Sequence, residues 1–262
     1  MERTSRFELS QCRDVTLLRV TPTEYLLFAC GSMGGIGPKA SDACQVPADV
    51  AGYACARTAV AHIVALGGTP MFLMNTLSVE MDPTGKRVME GIRRLMDELE
   101  LDPSFAVVGA SEENVPVAQT GIGVTAVGAA PADGIGFATT EHLDAILCVG
   151  VPKSPPDATL SFGDPEILKM STLCRLVQHP AVHEVVPVGW RGIDAELEAL
   201  MRESSLALQY EKDVPLPLAK SAGPVTCALA MVQAAQVEEV RALCTEPVTL
   251  LGRYIARQEV EE

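Results

Sequence analysis

Apolar residues recur along the chain with two periods, and the changes of period mark its elements. VTLLRV (15–20) and EYLLFACG (24–31) have the apolar density of strands and are separated by a short turn. ADVAGYACARTAVAHIVAL (48–66) predicts a helix that is apolar on most faces and ends at the Gly67-Gly68 pair. MFLMNTLSVE (71–80) is β-rich. TGKRVMEGIRRLMDELE (84–100) is the clearest helix: Val88, Ile92, Leu95, Met96 and Leu99 form one stripe. On its wet side Glu90 with Arg94, and Arg93 with Asp97, stand at supportive i,i+4 spacing. FAVVGA (105–110) and GIGVTAVGA (121–129) predict two more strands. The resulting order, β-β-α-β-α-β-β, reads as a ferredoxin-like half with an extra strand.

AAPADG (129–134) marks a boundary, giving two α+β domains over 1–132 and 133–262. The second contains LDAILCVGVP (143–152), a helical run from Glu166 to Val177, HEVVPVG (183–189), DAELEALMRESS (194–205), VTCALAMV (225–232), QVEEVRALC (236–244) and VTLLGRYIA (248–256). Residues Thr58 to Val79 carry no formal charge, a run long enough to suggest a membrane span. Gly67, Gly68, Thr69 and Pro70 break it in the middle, so a buried helix followed by a buried strand is the better reading.

Composition narrows the function classes. The net charge of -14 over 262 residues argues against nucleic acid or an anionic membrane as partner. The eight cysteines include no C-x-x-C, and the four histidines form no ligand spacing with them, which argues against zinc. MERTSRFELSQ has no apolar core of a signal peptide. A reduced, cytoplasmic protein with thiols used as small apolar side chains is expected.

ACGSMGGIGPKASD (29–42) asks a sharper question, because glycines and a lysine crowd one loop. A P-loop fails here: Pro38 follows Gly37 and removes an amide, and Ala40 follows Lys39, so no hydroxyl is offered to magnesium. The dinucleotide spacing of Gly35, Gly37 and Ala40 also fails, since 39–47 has no apolar helical stripe and ends in Pro47.

Four stretches together resemble the AIR synthase-like (PurM-like) superfamily of ATP-using enzymes. They are GGIGPK with Asp42 after it; HIVALGGTP; VVGASEENVP followed by TGIGVTAVG; and TCALAMVQAAQVEEVRALCTEPVTLLGRYI. Within the superfamily, GGIGPK, NTLSVEMDPTGKRVMEGI and GASEENVPVAQTGIGVT look most like alpha-ribazole kinase. The resemblance implies a two-domain fold whose ferredoxin-like N-terminal half pairs with a second copy into a barrel, a homodimer, followed by an α/β C-terminal half. It implies ATP and Mg2+ as cofactors and a small-molecule acceptor, with a nucleoside as the specific expectation. The glycines would then let the backbone approach a polyphosphate without a helix N-terminus.

Phosphoryl transfer needs positioning and charge neutralisation, and magnesium favours a few carboxylates with phosphate oxygens. Lys39 is the candidate phosphate cation, against a solvated loop lysine; Asp42 is a metal ligand or a turn aspartate. Glu112 and Glu113 are candidate metal ligands with Asn114 beside them, because adjacent carboxylates at a strand end repel unless a cation or water separates them. Glu80 and Asp82 are further carboxylates of this kind. Gly34, Gly35, Gly37, Gly121 and Gly123 are candidate points of nucleotide approach, the last two equally marks of a bulge. Thr76 and Ser78 contact phosphate or ribose, or fill a strand; Arg191 binds phosphate or covers the sole tryptophan, Trp190. His62 is a catalytic contact or a buried helix histidine. Gly31, His62, Asn75 and Ser111 stand where the superfamily usually places acids or a G-G-D-T loop, so part of its magnesium cage is missing.

Overall fold

The computed structural model describes residues 8–101, 107–158, 160–204 and 206–257. Two compact units form, Met1–Ile135 and Gly136–Glu262. The first runs β1 (Glu8–Cys12), β2 (Val15–Thr21), β3 (Glu24–Gly34), the short pair β4 (Ile36–Gly37) and β5 (Cys44–Gln45), α1 (Ala48–Ala65), β6 (Thr69–Leu77), α2 (Lys86–Glu98), β7 (Val107–Ser111) and β8 (Gly121–Pro131). A kinked turn, Met81–Gly85, in which Asp82 is extended (φ -115°, ψ 117°), leads into α2. The predicted strand at 105–110 begins among residues outside the described set and is seen from Val107.

The sheet order is β1-β2-β3-β8-β6-β7, and only β6 and β7 pair in parallel. β3 and β6 flank β8, antiparallel to both, so β3-α1-β6 is a split βαβ unit of the kind found in ferredoxin-like sheets. α2 then returns the chain to the free edge of β6 as β7, a direct βαβ crossover that the ferredoxin-like order lacks. β1 was not expected. Its burial pattern explains why: only Cys12 is buried, so a solvated edge strand left no apolar alternation to read.

Side chains at paired positions share a face. The inner rows are Ala29–Ala126–Leu73–Val107 and Gly31–Val124–Asn75–Gly109. They lie under α1, which is buried along nearly its whole length, as an apolar helix requires. Its approach is close enough that a Cβ at Gly31 would overlap the Cys55 carbonyl oxygen. Where α1 meets α2, a Cβ at Gly52 would overlap the Val88 carbonyl and one at Gly91 the Asp49 carbonyl. The outer rows include Phe28–Val127–Phe72 and Cys30–Thr125–Met74–Val108. Met74 and Val108 remain 38% and 55% exposed there.

The second unit runs β9 (Ala145–Gly150), α3 (Met170–Gln178), β10 (Val182–Pro187), α4 (Gly192–Glu203), β11 (Leu206–Tyr210), β12 (Cys227–Val232), α5 (Val237–Ala242) and β13 (Val248–Ala256). Its sheet order is β10-β12-β9-β13-β11, antiparallel throughout. The expected α/β arrangement is therefore corrected to α+β, since no parallel crossover forms. β11 is another edge strand the periodicity missed. Among the described residues no helix is long and apolar enough to cross a membrane, and all eight cysteines are free thiols.

The α1–α2 crossing yields a direct test. Gly91→Ala places a methyl group into the Asp49 backbone and lowers unfolding free energy by about 1–3 kcal/mol, measured by urea denaturation, while a change at exposed Arg94 leaves it nearly unchanged.

Candidate functional site

Beyond Gly34 the chain leaves the sheet at Gly35, whose φ of +67° is the left-handed conformation that glycine adopts freely. It returns alongside itself, Ile36 opposite Cys44 and Gly37 opposite Gln45, enclosing Pro38 to Ala43 in a tight loop. Asp42 holds this loop shut. Its Oδ2 accepts from the Lys39 amide at 2.8 Å and the Thr120 hydroxyl at 2.7 Å, and its Oδ1 from the Thr120 amide at 2.6 Å. The residue is only 7% exposed. Gln45 Nε2 donates to the Lys39 carbonyl at 2.7 Å, and Gln119 Nε2 to the Ser41 carbonyl at 2.7 Å.

The loop's amides are largely used within the protein. Gly35 N donates to Thr120 O, Ser41 N to Ala118 O, Asp42 N to Lys39 O and Cys44 N to Gly35 O. A Cβ at Gly37 would overlap the Thr120 side chain, whereas one at Gly34 meets nothing within 4 Å. Gly37 is thus a packing glycine, and what the loop presents is a side chain rather than a nest of free N–H groups. That side chain is Lys39, whose Nζ donates to Glu80 Oε2 at 2.6 Å. The other Glu80 oxygen accepts a short hydrogen bond from the Thr84 hydroxyl. Lys39 first, then Thr84, holds the Glu80 carboxyl below the usual glutamate range.

Three further strand ends meet here. Ser78 N donates to Gly121 O at 2.9 Å, and Glu112 N to Leu77 O at 2.8 Å, so the segments after β6 and β7 are fixed beside the start of β8. Glu112, Glu113 and Asn114 are exposed at this end. Glu112 Oε1 accepts from the Asn114 amide at 2.6 Å, and Ser111 Oγ donates to Glu113 Oε1 at 3.0 Å, leaving one oxygen of each glutamate without such a bond. Gly34, Thr76, Ser78, Gly121 and Gly123 share the outer face of the sheet. A Cβ at Gly123 would stand 2.5 Å from Thr76 Oγ1, and one at Gly121 3.1 Å from Ser78 Cβ. Those glycines make room for the neighbouring strand's hydroxyl side chains.

On the inner face Asn75, 4% exposed, donates through Nδ2 to the Val108 carbonyl at 3.1 Å. It borders a cavity of about 410 Å³ between α2 and the β6–β7 edge, lined also by Met81, Lys86, Met89, Arg93 and Ala110. A larger recess of about 920 Å³ opens in the second unit around Ala145, Leu250 and Arg253. The smaller one is the better candidate, because Met81 adjoins Glu80 and Ala110 lies two residues from Glu112.

His62 stands apart from this group. It lies in the last turn of α1 with Nε2 3.8 Å from Asp14 Oδ2, and burial pushes its pKa down while Asp14 raises it. Fourteen residues separate it from Ala48, roughly 21 Å along the helix. Among the described residues no three His, Cys, Asp or Glu side chains form a set able to hold a metal ion by themselves. Sequence reasoning missed Thr84, Thr120, Gln45 and Gln119, common polar residues whose partners lie far along the chain.

No protein-family model and no curated protein sequence matches the chain. Solved structures do. A thiamine-monophosphate kinase from Stenotrophomonas maltophilia K279a superposes with a TM-score of 0.67 at 17% identity, covering 97% of this chain and 90% of its own. AaThiL complexed with AMPPCP and TMP gives 0.65 at 14% identity, covering 93% and 84%. The hydrogenase maturation protein HypE in complex with ATP gives 0.64 at 14% identity, covering 92% and 80%. The chain therefore has the fold shared by these proteins.

The Lys39–Glu80 pair has a defined pH dependence. A carboxyl whose pKa is lowered by its partners keeps that link above its ordinary value and loses it as pH falls through the lowered one. Acidification through that lowered value, under the usual glutamate range, therefore opens the contact. The Lys39 Cε and Nζ resonances move through this acidic step in the unaltered protein, and Glu80→Gln abolishes it.

Proposed function

We propose that the chain is an ATP-binding phosphotransferase acting on a small molecule, with alpha-ribazole as the specific acceptor. The observation that carries this reading is the convergence of Lys39, Glu80 and Glu112–Asn114 at one end of the sheet, beside a cavity of about 410 Å³. The ATP, AMPPCP and TMP held by neighbours of this fold support it. In this reading the nucleoside part of ATP occupies the cavity between α2 and the β6–β7 edge, and its phosphates reach toward Lys39. Lys39 exchanges Glu80 for a phosphate oxygen and orients the transferring group.

The donor set fits magnesium only in part. Asp42 is fully engaged as the clamp of the loop, so the residues that would hold the ion are Glu112 and Glu113, whose second oxygens are open, with phosphate oxygens completing the shell. When bound, it would neutralise charge between phosphates. Asn114 supplies a neutral polar contact, whereas Thr76 and Ser78, on the outer face, are left out. His62, buried against Asp14, is left out of the proton transfer.

A second reading, nucleotide binding without catalysis, is favoured by one feature. The inner row Gly31–Val124–Asn75–Gly109 carries no carboxylate, and the position of Gly31 has no space for one against Cys55.

Calorimetry separates the possibilities. ATP with magnesium binds in the micromolar range, and Lys39→Ala and Glu112→Ala each weaken it about ten-fold or more, the scale of a lost charge-assisted contact. Phosphorylation of alpha-ribazole then decides between the two readings, and the absence of ATP binding under any condition would sink both. We further propose that the open outer face pairs with a second copy. Met74→Lys with Val108→Lys shifts the mass in light scattering from dimer to monomer without loss of helical circular dichroism.

A further inference from the structure

The recess of about 920 Å³ is lined entirely by residues of the second unit. Small-molecule cavities span roughly 300–1,000 Å³, so its volume suits such a ligand. The phosphotransferase reading makes no use of it.

Its floor is one face of the second sheet. Gln209 pairs with Arg253, and Arg253 with Ala145, so these three positions share a face. Ile146, the next residue along β9, lies on the opposite face, in the core cluster with Ile193 and Leu197 of α4. Leu250 pairs with Leu147, two residues from Ala145, and therefore belongs to the floor as well. Residues three apart in a regular strand face opposite ways. One extra residue in β13, a bulge, brings Leu250 and Arg253 to the same side. Gly252 permits that bulge, because a Cβ there would overlap the Gln209 carbonyl oxygen.

The result is an apolar surface with one oriented cation. Arg253 Nε donates to Gln209 Oε1 at 2.7 Å, and the two terminal guanidinium nitrogens have no partner among the described residues. Leu143 also lines the recess, 45% exposed and at φ +69°, a conformation that a bulky residue rarely adopts. Its amide donates to Tyr254 O at 2.9 Å, so pairing with β13 holds it there. Strain kept at an exposed apolar residue beside a cavity is the kind that ligand sites retain. Glu211, Lys212 and Asp213 complete the charged lining, and with Arg253 they give two charges of each sign.

We infer that this recess binds a small molecule with an apolar body and a single carboxylate. The carboxylate accepts from the terminal nitrogens of Arg253, whose fork matches its two oxygens, and the body lies on Ala145, Leu250 and Leu143. Because the charged lining sums to zero, a polyphosphate finds no excess of positive charge there, whereas one carboxylate matches one oriented guanidinium. The inference stands apart from the phosphotransferase reading and does not require ATP to bind.

Octanoate and 3-phenylpropionate serve as probes, with 1-octanol and inorganic phosphate as controls. Titrated into methyl-labelled protein, both carboxylates move the Leu143 and Leu250 resonances saturably, with Kd of about 1 mM or below. Either control binds at least about ten-fold more weakly. Arg253→Leu, at an exposed position, weakens octanoate about ten-fold or more without loss of circular dichroism, and Arg253→Lys, which keeps the charge but not the fork, weakens it about three-fold. The inference is overturned if neither carboxylate shifts those methyl groups at about ten times that concentration. Equal binding of 1-octanol and octanoate would also overturn it, as would an unchanged octanoate affinity in Arg253→Leu.

Discussion

The first unit is organised by how closely α1 approaches its neighbours. Gly31 on β3, Gly52 within α1 and Gly91 on α2 each face a backbone carbonyl that any side chain would strike. Closely approaching backbones bring the flanking Val, Ile, Leu and Ala side chains into contact on all sides of α1, where dispersion and apolar burial both gain. The same approach excludes charge from the middle of the inner face. Asn75 survives there because its amide donates to Val108 O and its own bulk occupies the space that a side chain at Gly109 would need. A carboxylate in its place would set two oxygens against a carbonyl with no donor between them. Polar chemistry is displaced to the strand ends, where water and loops can satisfy it.

At that end, one carboxylate converts a glycine-rich loop into a mount for a lysine. With both Asp42 oxygens tied to Thr120 and the Lys39 amide, the loop cannot breathe open without breaking charge-assisted hydrogen bonds away from bulk water. Gly35 turns the chain and Gly37 clears Thr120, so the glycines are explained by the closure itself. A fixed backbone shortens the list of places Lys39 can reach, and Glu80 takes it.

Much of this fold was legible from periodicity, and the exceptions share a cause. The stripe of Val88, Ile92, Leu95 and Met96 and the apolar run of α1 marked their helices, because each buries a contiguous surface. β1 and β11 went unread, since an edge strand is specified by backbone pairing that leaves little trace in side-chain type. The antiparallel order of the second sheet was likewise invisible, because fully buried strands such as β9 and β12 look alike in either direction. In the candidate site the charged residues stood out in the sequence and their partners did not. Asp42 and Thr120 are 78 positions apart, and Lys39 and Glu80 41 apart. Only the folded sheet ends bring such pairs together.

The pairing of Lys39 has a consequence for what this end of the sheet can attract. A lysine bridged to a glutamate is a neutral unit, and this one stands on a chain of net charge -14. A weakly charged ligand gains too little to displace Glu80, because it must replace both the Coulomb attraction and the hydrogen bond already made. A polyphosphate offers several anionic oxygens at once, but to reach Lys39 it must displace the Glu80 carboxylate. Attraction to one cation cannot overcome the repulsion of that freed carboxylate unless a second positive charge accompanies the phosphates. Under the proposed function, Lys39 would therefore leave Glu80 for a polyanion only when a counter-cation accompanies it.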